Sequence, residues 1–232
     1  MLAACEGAKE SIDLEQYVFF DDEIGRKFIA ILLQKSLAGV RVRVLADAIG
    51  SQPLHGSPLV AQMTQAGIQV IFFNIISPWW LHKLFSWFLR DHRKILVIDG
   101  KTGFTGGVGF ENAMFGWRDT VVAISGLVVV EMQEAFERLW MMTLKGKRFS
   151  RERRRLPVAS DFSFVANSPS FRQRHLYRAL LTAIAEAQDY IYLTTPYFIP
   201  DHRLFDAFKA AHKRGVDIRV IVPMDSDHPV VD

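Results

Sequence analysis

The residues best suited to chemistry in this sequence are His92 and Lys94, which are followed by Asp99 in the pattern H-x-K-x-x-x-x-D. The stretch from residue 91 to 100 is typical of a short strand and turn, and side chains two apart in a strand point to the same face. We therefore expect His92 and Lys94 to project together, with Arg93 and Ile95 on the opposite face. A histidine nucleophile beside a fixed ammonium group is suited to displacement at the phosphorus atom of a phosphodiester.

The same stretch predicts a hairpin that ends in glycines. Asp99 and Gly100 form an Asp-Gly turn signal, and residues 102–105 are predicted to return as the partner strand. Gly106 and Gly107 follow at once, and glycine lets the backbone approach a bound group closely. This context makes the pattern more specific than its three residues alone.

Further segments of the chain resemble one known family. Together with the motif, they resemble the phospholipase D superfamily and, within it, the bacterial cardiolipin synthases; these segments are residues 11–19, 39–47, 105–112, 117–119 and 195–201. The resemblance extends over nearly the whole chain. It implies a phospholipase D-like lobe that acts on glycerophospholipids without a cofactor. The sequence has no cysteine, histidine and carboxylate spacing typical of a metal site.

The resemblance implies roles for the three motif residues. In the family, one histidine attacks phosphorus to give a phosphohistidine and a second histidine protonates the leaving oxygen, which makes His92 the expected nucleophile. Lys94 would hold the non-bridging phosphate oxygens, and Asp99 would orient a site group or stabilise a lysine. The alternatives are a core histidine, a surface lysine on an edge strand, and an aspartate that serves only the turn.

Four other residues are implied as contributors to substrate binding. Gly106 and Gly107 match a small-residue pair whose backbone approaches phosphate, although a tight turn would also need them. The family commonly has an asparagine two positions later, where this chain has Gly109, and Asn112 is the candidate replacement. Glu15 matches a family carboxylate near the site, and an exposed strand glutamate is its alternative.

An aromatic segment at residues 78–90 leads directly into the motif. Aromatic rings beside Lys83 and Arg90 suit a membrane interface, where amphipathic rings lie at headgroup depth. The alternative is a helix that packs against the core or against another lobe. The residues predicted to contact the membrane are Trp79, Trp80, Phe85, Trp87 and Phe88.

Strands and helices alternate along the first part of the chain. This favours an α/β fold in which a mixed β-sheet is flanked by helices on both faces. Besides the motif strand, strands are predicted at residues 11–19, 40–46, 69–73, 102–105 and 120–125, and helices at residues 22–38, 58–66 and 128–143.

The pattern of the first part returns near the C-terminus. Residues 12–21 parallel residues 191–200, and residues 38–45 parallel residues 214–221, each time as strand, helix, glycine and strand. The second copy is incomplete. The predicted domains are a first phospholipase D-like lobe at residues 1–143, a basic linker at 144–160 and a truncated second lobe at 161–232.

A second H-x-K-x-x-x-x-D pattern does not occur in the sequence. Since two-motif members of the family bring two histidines to one site, we expect the chain to be a fragment. The second catalytic motif would come from a missing C-terminal half or from the partner in a homodimer.

Composition and charge set broader limits. The chain has 232 residues, half of them hydrophobic, and a formal net charge of +3, so it can bury a substantial core. Basic residues cluster at 145–155, which predicts a solvated linker or a contact with anionic lipid headgroups or nucleic acid. Cys5 is the single cysteine of the sequence, which excludes an internal disulfide and favours a reducing compartment.

The sequence shows neither a signal peptide nor an apolar stretch of spanning length. The nearest candidate, residues 68–89, is interrupted by Asn74, Pro78, His82 and Lys83. We therefore expect a peripheral protein at the cytoplasmic face of the cell membrane, in contact with its anionic surface.

Three functions remain open at this point. They are a phosphatidyl transferase or phospholipase of the cardiolipin synthase type, a phosphodiesterase or nuclease of the same superfamily, and a non-catalytic lobe that binds anionic lipid or a partner chain. The aromatic segment favours the first, whereas salt-sensitive nucleic-acid binding through residues 151–155 would favour the second. The residues do not determine the acceptor, which could be water, glycerol, a second phospholipid or a nucleic-acid end.

Overall fold

The computed structural model describes residues 1–76, 89–145, 162–167 and 174–224. They belong to two compact units, Met1–Gln173 and Arg174–Asp232. This division differs from the predicted lobe boundary at 160/161. Residues 162–167 belong to the first unit because the Phe164 N–H donates to Glu131 at 2.6 Å and the Phe164 side chain packs on a core cluster that includes Val129.

A six-stranded mixed sheet forms the centre of the first unit. Its strands are β1 (Ser11–Gln16), β2 (Arg41–Asp47), β3 (Gln69–Phe73), β4 (Ile95–Ile98), β5 (Thr102–Gly106) and β6 (Val121–Ser125). They lie in the order β3-β2-β1-β4-β5-β6. The first three strands are parallel, and the antiparallel part begins where β4 pairs with β1.

Helices cover both faces of this sheet, which confirms the predicted α/β fold. The helices are α1 (Leu2–Glu6), α2 (Glu23–Leu37), α3 (Gln52–His55), α4 (Pro58–Gln65) and α5 (Val128–Lys145). The alternation of side chains along β1 assigns the two faces. Ile12 and Leu14 pack into the core shared with α2, whereas Asp13 accepts a hydrogen bond from Gln133 of α5.

The second helix shows how the sequence sets a boundary. It begins after Asp22, whose side chain accepts a hydrogen bond from the Gly25 N–H at 3.0 Å and so serves as its N-cap. Its apolar residues Phe28, Ile29 and Leu32 are spaced for one helix face and are buried.

The predicted hairpin joins β4 to β5 through Asp99 and Gly100. Both residues have positive φ angles, 52° and 62°, which is the backbone geometry that favours Asp-Gly in a two-residue hairpin turn. The preceding strand is shorter than expected, since β4 begins at Ile95 and the motif residues His92 and Lys94 come before it.

Before β4, a backbone N–H group is bound by a carboxylate at the end of β2. The Asp91 N–H donates to the side chain of Asp47 at 2.9 Å instead of to a neighbouring strand. The first strand is also shorter than the predicted range 11–19, because the Phe19 N–H donates to the Ser51 hydroxyl at 3.0 Å.

The second unit contains α6 (His175–Glu186), β7 (Tyr190–Thr194), α7 (His202–Lys213) and β8 (Asp217–Ile221). Strands β7 and β8 are parallel, so β7, α7 and β8 repeat the arrangement of β1, α2 and β2. Gly39 and Gly215 occupy equivalent positions before the second strand of each copy, with φ angles of 87° and 92°. The described part of the second unit therefore repeats the beginning of the first unit. Across the described residues, no helix is long and apolar enough to cross a bilayer.

Candidate active site

The side chains of His92 and Lys94 meet at Tyr17, which follows the end of β1. The His92 ring stacks on the Tyr17 ring, with centroids 3.8 Å apart and planes at 19°. The Lys94 Nζ lies 5.5 Å from the centroid of the same ring and donates to the His92 carbonyl at 3.1 Å. The structure therefore brings the two motif residues together on one side of the chain, although neither lies in a strand.

Burial against this ring and nearby positive charge affect the titration of His92. Desolvation, followed by the charge of Lys94, lowers the pKa of the imidazole below its usual value. Desolvation likewise lowers the pKa of Lys94. The lowered pKa favours the neutral ring near pH 7, and His92 remains exposed to solvent.

The backbone before His92 is held by the buried carboxylate of Asp47 at the end of β2. Besides the Asp91 N–H, this carboxylate accepts the N–H groups of Ile49 and Gly50 at 2.9 and 3.0 Å. Arg90 Nη1 lies 3.4 Å from it. Asp47 thus connects the loop after β2 to the motif and sets the position of His92.

Glu15 points to the opposite face of the sheet from His92. Its fully buried carboxylate pairs with Arg93, whose Nη2 lies 3.0 Å from Glu15 Oε2 and also 3.3 Å from the Ala135 carbonyl in α5. Arg93 also lies 3.4 Å from Asp91. Desolvation raises the pKa of both carboxyl groups, and the charge of Arg93 opposes that rise. The structure does not bring Glu15 next to His92. Glu15 is also not exposed, because its carboxylate is buried in the pair with Arg93.

Asp99 lies at the other end of β4 from His92 and Lys94. Its carboxylate accepts the backbone N–H groups of Lys9, Glu10 and Ser11 at 2.9, 2.7 and 2.8 Å. The structure therefore places Asp99 in the turn and at the entry to β1, and does not bring it to the histidine and lysine of the motif.

Gly106, the last residue of β5, and Gly107, which follows it, are needed because another segment approaches them closely. A Cβ atom on Gly106 would lie 2.2 Å from the Thr120 carbonyl oxygen, and one on Gly107 would lie 2.4 Å from the Asp119 carboxylate. Gly106 also lines a pocket that includes Lys94. Close packing against residues 119 and 120 therefore accounts for both glycines, and their predicted approach to phosphate stays a prediction.

Asn112 contributes to the N-terminus of α2. Its side-chain oxygen accepts the Ile24 N–H at 3.1 Å, and its own N–H donates to Asp22 at 2.6 Å. The amide oxygen is therefore engaged on the helix, and no contact with His92 or Lys94 is formed in the described residues. The predicted membrane residues Trp79, Trp80, Phe85, Trp87 and Phe88 lie outside the described residues, as does most of the basic linker.

Sequence reasoning missed Tyr17, Asp47 and Asp91. Tyr17 directly follows the first strand, and Asp47 ends the second one, so both lie where neighbouring parallel strands end at one edge of the sheet. That shared edge is the signal that could have found them. In the portion that the structure describes, no group of three or more histidine, cysteine or carboxylate side chains could hold a metal ion.

Comparison with known proteins identifies relatives along the whole chain. Cardiolipin synthase A of Pseudomonas fluorescens is 34% identical over 242 residues, which cover 98% of this chain and 49% of the relative. Cardiolipin synthase 1 of Bacillus cereus is 30% identical over 250 residues, which cover 100% and 48%. The chain spans about half the length of the curated relatives it matches.

Solved structures share the fold at much lower identity. Phosphatidylserine synthase from Haemophilus influenzae matches with a TM-score of 0.63 and 13% identity, over 95% of this chain and 58% of that protein. Polyphosphate kinase from Porphyromonas gingivalis matches with a TM-score of 0.57 and 17% identity, over 96% and 32%. The family described as "Cardiolipin synthase, PLD-like domain" matches residues 1–140 and 180–232. Because this match covers most of the sequence, the chain belongs to the cardiolipin synthase family of phospholipase D-like domains.

Proposed function

We propose that this chain supplies one half of the catalytic site of a phosphatidyl transferase of the cardiolipin synthase type, with His92 as the nucleophile. The observation that carries the proposal is the cluster in which the imidazole of His92 and the ammonium group of Lys94 share the ring of Tyr17. The lowered pKa of His92 supports the proposal because a nucleophilic imidazole has to be unprotonated. The cardiolipin synthase relatives favour a phospholipid over a nucleic acid as substrate.

The proposed reaction is a two-step displacement at phosphorus. A neutral ring nitrogen of His92 attacks, a P–N bond forms, and the bond from phosphorus to the leaving oxygen breaks. A second histidine, from a further half of the enzyme or from a second copy, gives the leaving oxygen its proton. The acceptor alcohol then returns a proton to that histidine as its oxygen attacks phosphorus and the P–N bond breaks.

Lys94 acts in both steps through its charge. Its ammonium group stabilises the non-bridging oxygens, which carry the negative charge of the transition state. Partial burial strengthens that interaction, because the effective dielectric constant near the protein is lower than in water. Asp47 and Asp91 position the nucleophile by holding the backbone before it.

The substrate and its location are part of the same proposal. The substrate is a glycerophospholipid at an anionic membrane surface, with the chain bound peripherally at the cytoplasmic face. The aromatic segment at residues 78–90 and the basic run at 145–155 are the predicted contacts with that surface.

The proposal can be tested with a diester whose leaving group does not need a proton. Bis(p-nitrophenyl) phosphate releases p-nitrophenolate as a stable anion, so the first step requires His92 and Lys94 but not the second histidine. We expect the chain to release p-nitrophenolate, and His92→Ala to lower the rate at least about 100-fold. His202→Ala, which removes an exposed histidine of the second unit, is the matched control and is expected to keep the rate. Equal release by His92→Ala, or no release by folded wild type, would contradict the proposal.

A further inference from the structure

Asp91, the residue before His92, has a buried carboxyl group with one oxygen that the fold does not satisfy. The residue is 0% exposed, and its Oδ1 accepts the Arg93 N–H at 3.3 Å. Its Oδ2 has no hydrogen-bond partner in the part of the chain that the structure describes. A buried oxygen without a donor costs free energy. This oxygen therefore either carries a proton that it donates, or binds a water molecule.

Glu15 is the group that can accept such a proton, because it shares Arg93 with Asp91. Arg93 Nε lies 2.5 Å from Glu15 Oε1 and 3.4 Å from Asp91 Oδ1, and the two carboxyl groups act on each other directly. Desolvation raises the pKa of both groups, and two like charges that are buried together disfavour ionisation of both. The protons of such a pair belong to the pair as a whole.

The balance of buried charge also requires one proton. Glu15, Asp47 and Asp91 are each 0% exposed, and two cations, Arg90 and Arg93, pair with them among the described residues. Three carboxylates against two guanidinium groups would leave one buried negative charge without a partner, which is costly. A single proton removes that charge.

The other buried charges on this face of the sheet balance one another. Asp13 of β1 pairs with Arg43 and Arg41 of β2. Glu137 of α5, the helix that covers this face, also pairs with Arg43. Two carboxylates thus meet two guanidinium groups, so the unbalanced charge lies within the pair that shares Arg93.

The hydrogen bonds decide which of the two carboxyl groups carries the proton. Both oxygens of Glu15 accept from Arg93, Oε1 from Nε and Oε2 from Nη2, a bidentate pair that is typical of an ionised carboxylate. Each carboxylate oxygen has a second lone pair and can accept once more. Asp91 Oδ2 is the unsatisfied atom, and a proton on it that is donated to Glu15 satisfies both groups.

We infer that Asp91 is a neutral carboxylic acid in the folded protein, that its Oδ2 donates a hydrogen bond to ionised Glu15, and that the charge of Lys94 is thereby left for a phosphodiester. The last step rests on the proposed function. An ionised Asp91 would act on the ammonium group of Lys94 and would compete with phosphate for it. Asp91 is then a positioning residue that acts through Lys94.

The first measurement uses wild type and does not depend on any variant folding. A protonated carboxyl group has an infrared C=O stretch that is separate from the carboxylate bands, and ordinary aspartates and glutamates are ionised at pH 7. We expect the full chain at pH 7 to show this band, and the band to shift in D2O because the proton exchanges. No band in wild type would overturn the inference.

Two variants assign the band. It should disappear in Asp91→Asn, which places an NH2 group where the proton lies. It should remain in Glu10→Gln, the matched control, which removes an exposed carboxylate paired with Lys101. A band that Asp91→Asn retains would overturn the inference, because the proton would then belong to another group.

The titration of Lys94 shows where the negative charge lies. Asp91→Asn keeps that charge on Glu15, so the pKa of Lys94 should stay as in wild type. Glu15→Gln moves the charge onto Asp91, so the pKa of Lys94 should rise. NMR of the full chain with 13C-labelled lysine side chains, recorded against pH, measures both. A lowered pKa in Asp91→Asn would overturn the inference, since Asp91 would then be the ionised group with water as its donor, and so would an unchanged pKa in Glu15→Gln.

Binding of a soluble diester separates the inference from the proposed function. The Kd of diethyl phosphate should stay within about twofold of wild type in Asp91→Asn and should rise at least about threefold in Glu15→Gln. Equal Kd values in Glu15→Gln and wild type would overturn the step through Lys94. If wild type did not bind diethyl phosphate, or if Lys94→Met bound it equally well, the proposed function would fail, whereas the infrared band and the titration would still decide the protonation of Asp91.

Discussion

The ring of His92 lies on the ring of Tyr17, with the two centroids 3.8 Å apart. This contact joins the motif before β4 to the end of β1, two segments that are far apart in the sequence. Desolvation by burial is the main cause of the lowered pKa of His92, and the Tyr17 ring covers one face of the imidazole. We therefore expect Tyr17 to influence both the position and the titration of the proposed nucleophile.

Replacing the tyrosine ring should change the titration of the histidine. In Tyr17→Ala, one face of the imidazole becomes hydrated, so the pKa of His92 should rise towards its usual value of about 6.5. Tyr17→Phe keeps the ring and should keep the lowered pKa. The ring-proton shifts of His92 measured by NMR against pH would decide this, and an unchanged pKa in Tyr17→Ala would show that stacking is not the cause.

The charge of Lys94 should make a second, separate contribution to that titration. It is the next cause after desolvation of the lowered pKa of His92, so Lys94→Met should raise the pKa and Lys94→Arg should not. Because salt screens charges, raising the ionic strength should narrow the difference between wild type and Lys94→Met. A difference in pKa that is independent of salt would argue against a direct charge interaction.

Asp99 should prove to be a structural residue. Asp99→Ala removes the acceptor for three backbone N–H groups and should lower the free energy of unfolding by about 1–3 kcal/mol. Urea unfolding would measure this loss, while the His92 titration should stay as in wild type. A variant of unchanged stability that no longer bound a diester would instead place Asp99 in the site.

Arg93 should matter for folding because it compensates two buried carboxylates. Arg93→Met leaves Glu15 and Asp91 without their shared cation and should cost about 3–5 kcal/mol in the free energy of unfolding. Lys27→Met, which breaks an exposed helix pair with Glu23, is the control and should cost less than about 1 kcal/mol.

The same two carboxyl groups should make the stability of Arg93→Met fall as pH rises. Their pKa values are raised in the folded state, and the loss of Arg93 removes the charge that limits the rise. Above about pH 4, the usual pKa of these groups, the folded state then binds more protons than the unfolded state. The free energy of unfolding is therefore greatest at low pH and falls as pH rises. Between pH 5 and pH 8, the free energy of unfolding should fall more in Arg93→Met than in wild type. Adding Glu15→Gln to Arg93→Met should restore part of that loss. An Arg93→Met variant that is more stable at pH 8 than at pH 5 would contradict this explanation.

Gly106 at the end of β5 and Gly107 after it should differ in their tolerance of a side chain. The atom nearest to a Cβ on Gly106 is the Thr120 backbone oxygen, whereas at Gly107 it is the Asp119 carboxylate. Backbone moves less readily than a side chain, so Gly106→Ala should be the more destabilising by about 1–2 kcal/mol. Thermal or urea unfolding of the two variants would measure the difference, and equal costs would show that β6 can shift.

Local patterns in the sequence predicted the fold well. Asp-Gly at residues 99–100 favours a tight turn, and the uninterrupted apolar run Ile95–Ile98 indicates a strand that is buried on both faces. The helix predicted from residue 22 begins after Asp22. The alternation that placed His92 and Lys94 opposite Arg93 also holds, although the strand itself begins later. The repeat of strand, helix and glycine before Val40 and Val216 predicted the second copy.

The site was predicted less completely because its geometry depends on pairing between distant segments. Glu15 meets Arg93 only because β4 pairs antiparallel with β1 in the register Glu15 with Ile95. That register also separates Asp99 from the motif histidine by the length of β4. The burial of Asp47 and its bond to the Asp91 N–H follow from the order of the strands, which spacing along the chain does not encode.

The most direct test of the central claim is to locate the covalent intermediate. Wild-type chain is mixed with bis(p-nitrophenyl) phosphate, quenched in alkali, digested, and analysed by mass spectrometry. Our account predicts an acid-labile p-nitrophenyl phosphoryl group on the peptide that contains His92, absent in His92→Ala and present in His202→Ala. A phosphoryl group on any other residue, or release of p-nitrophenolate with His92 unmodified at every time point, would contradict the role of His92 as nucleophile.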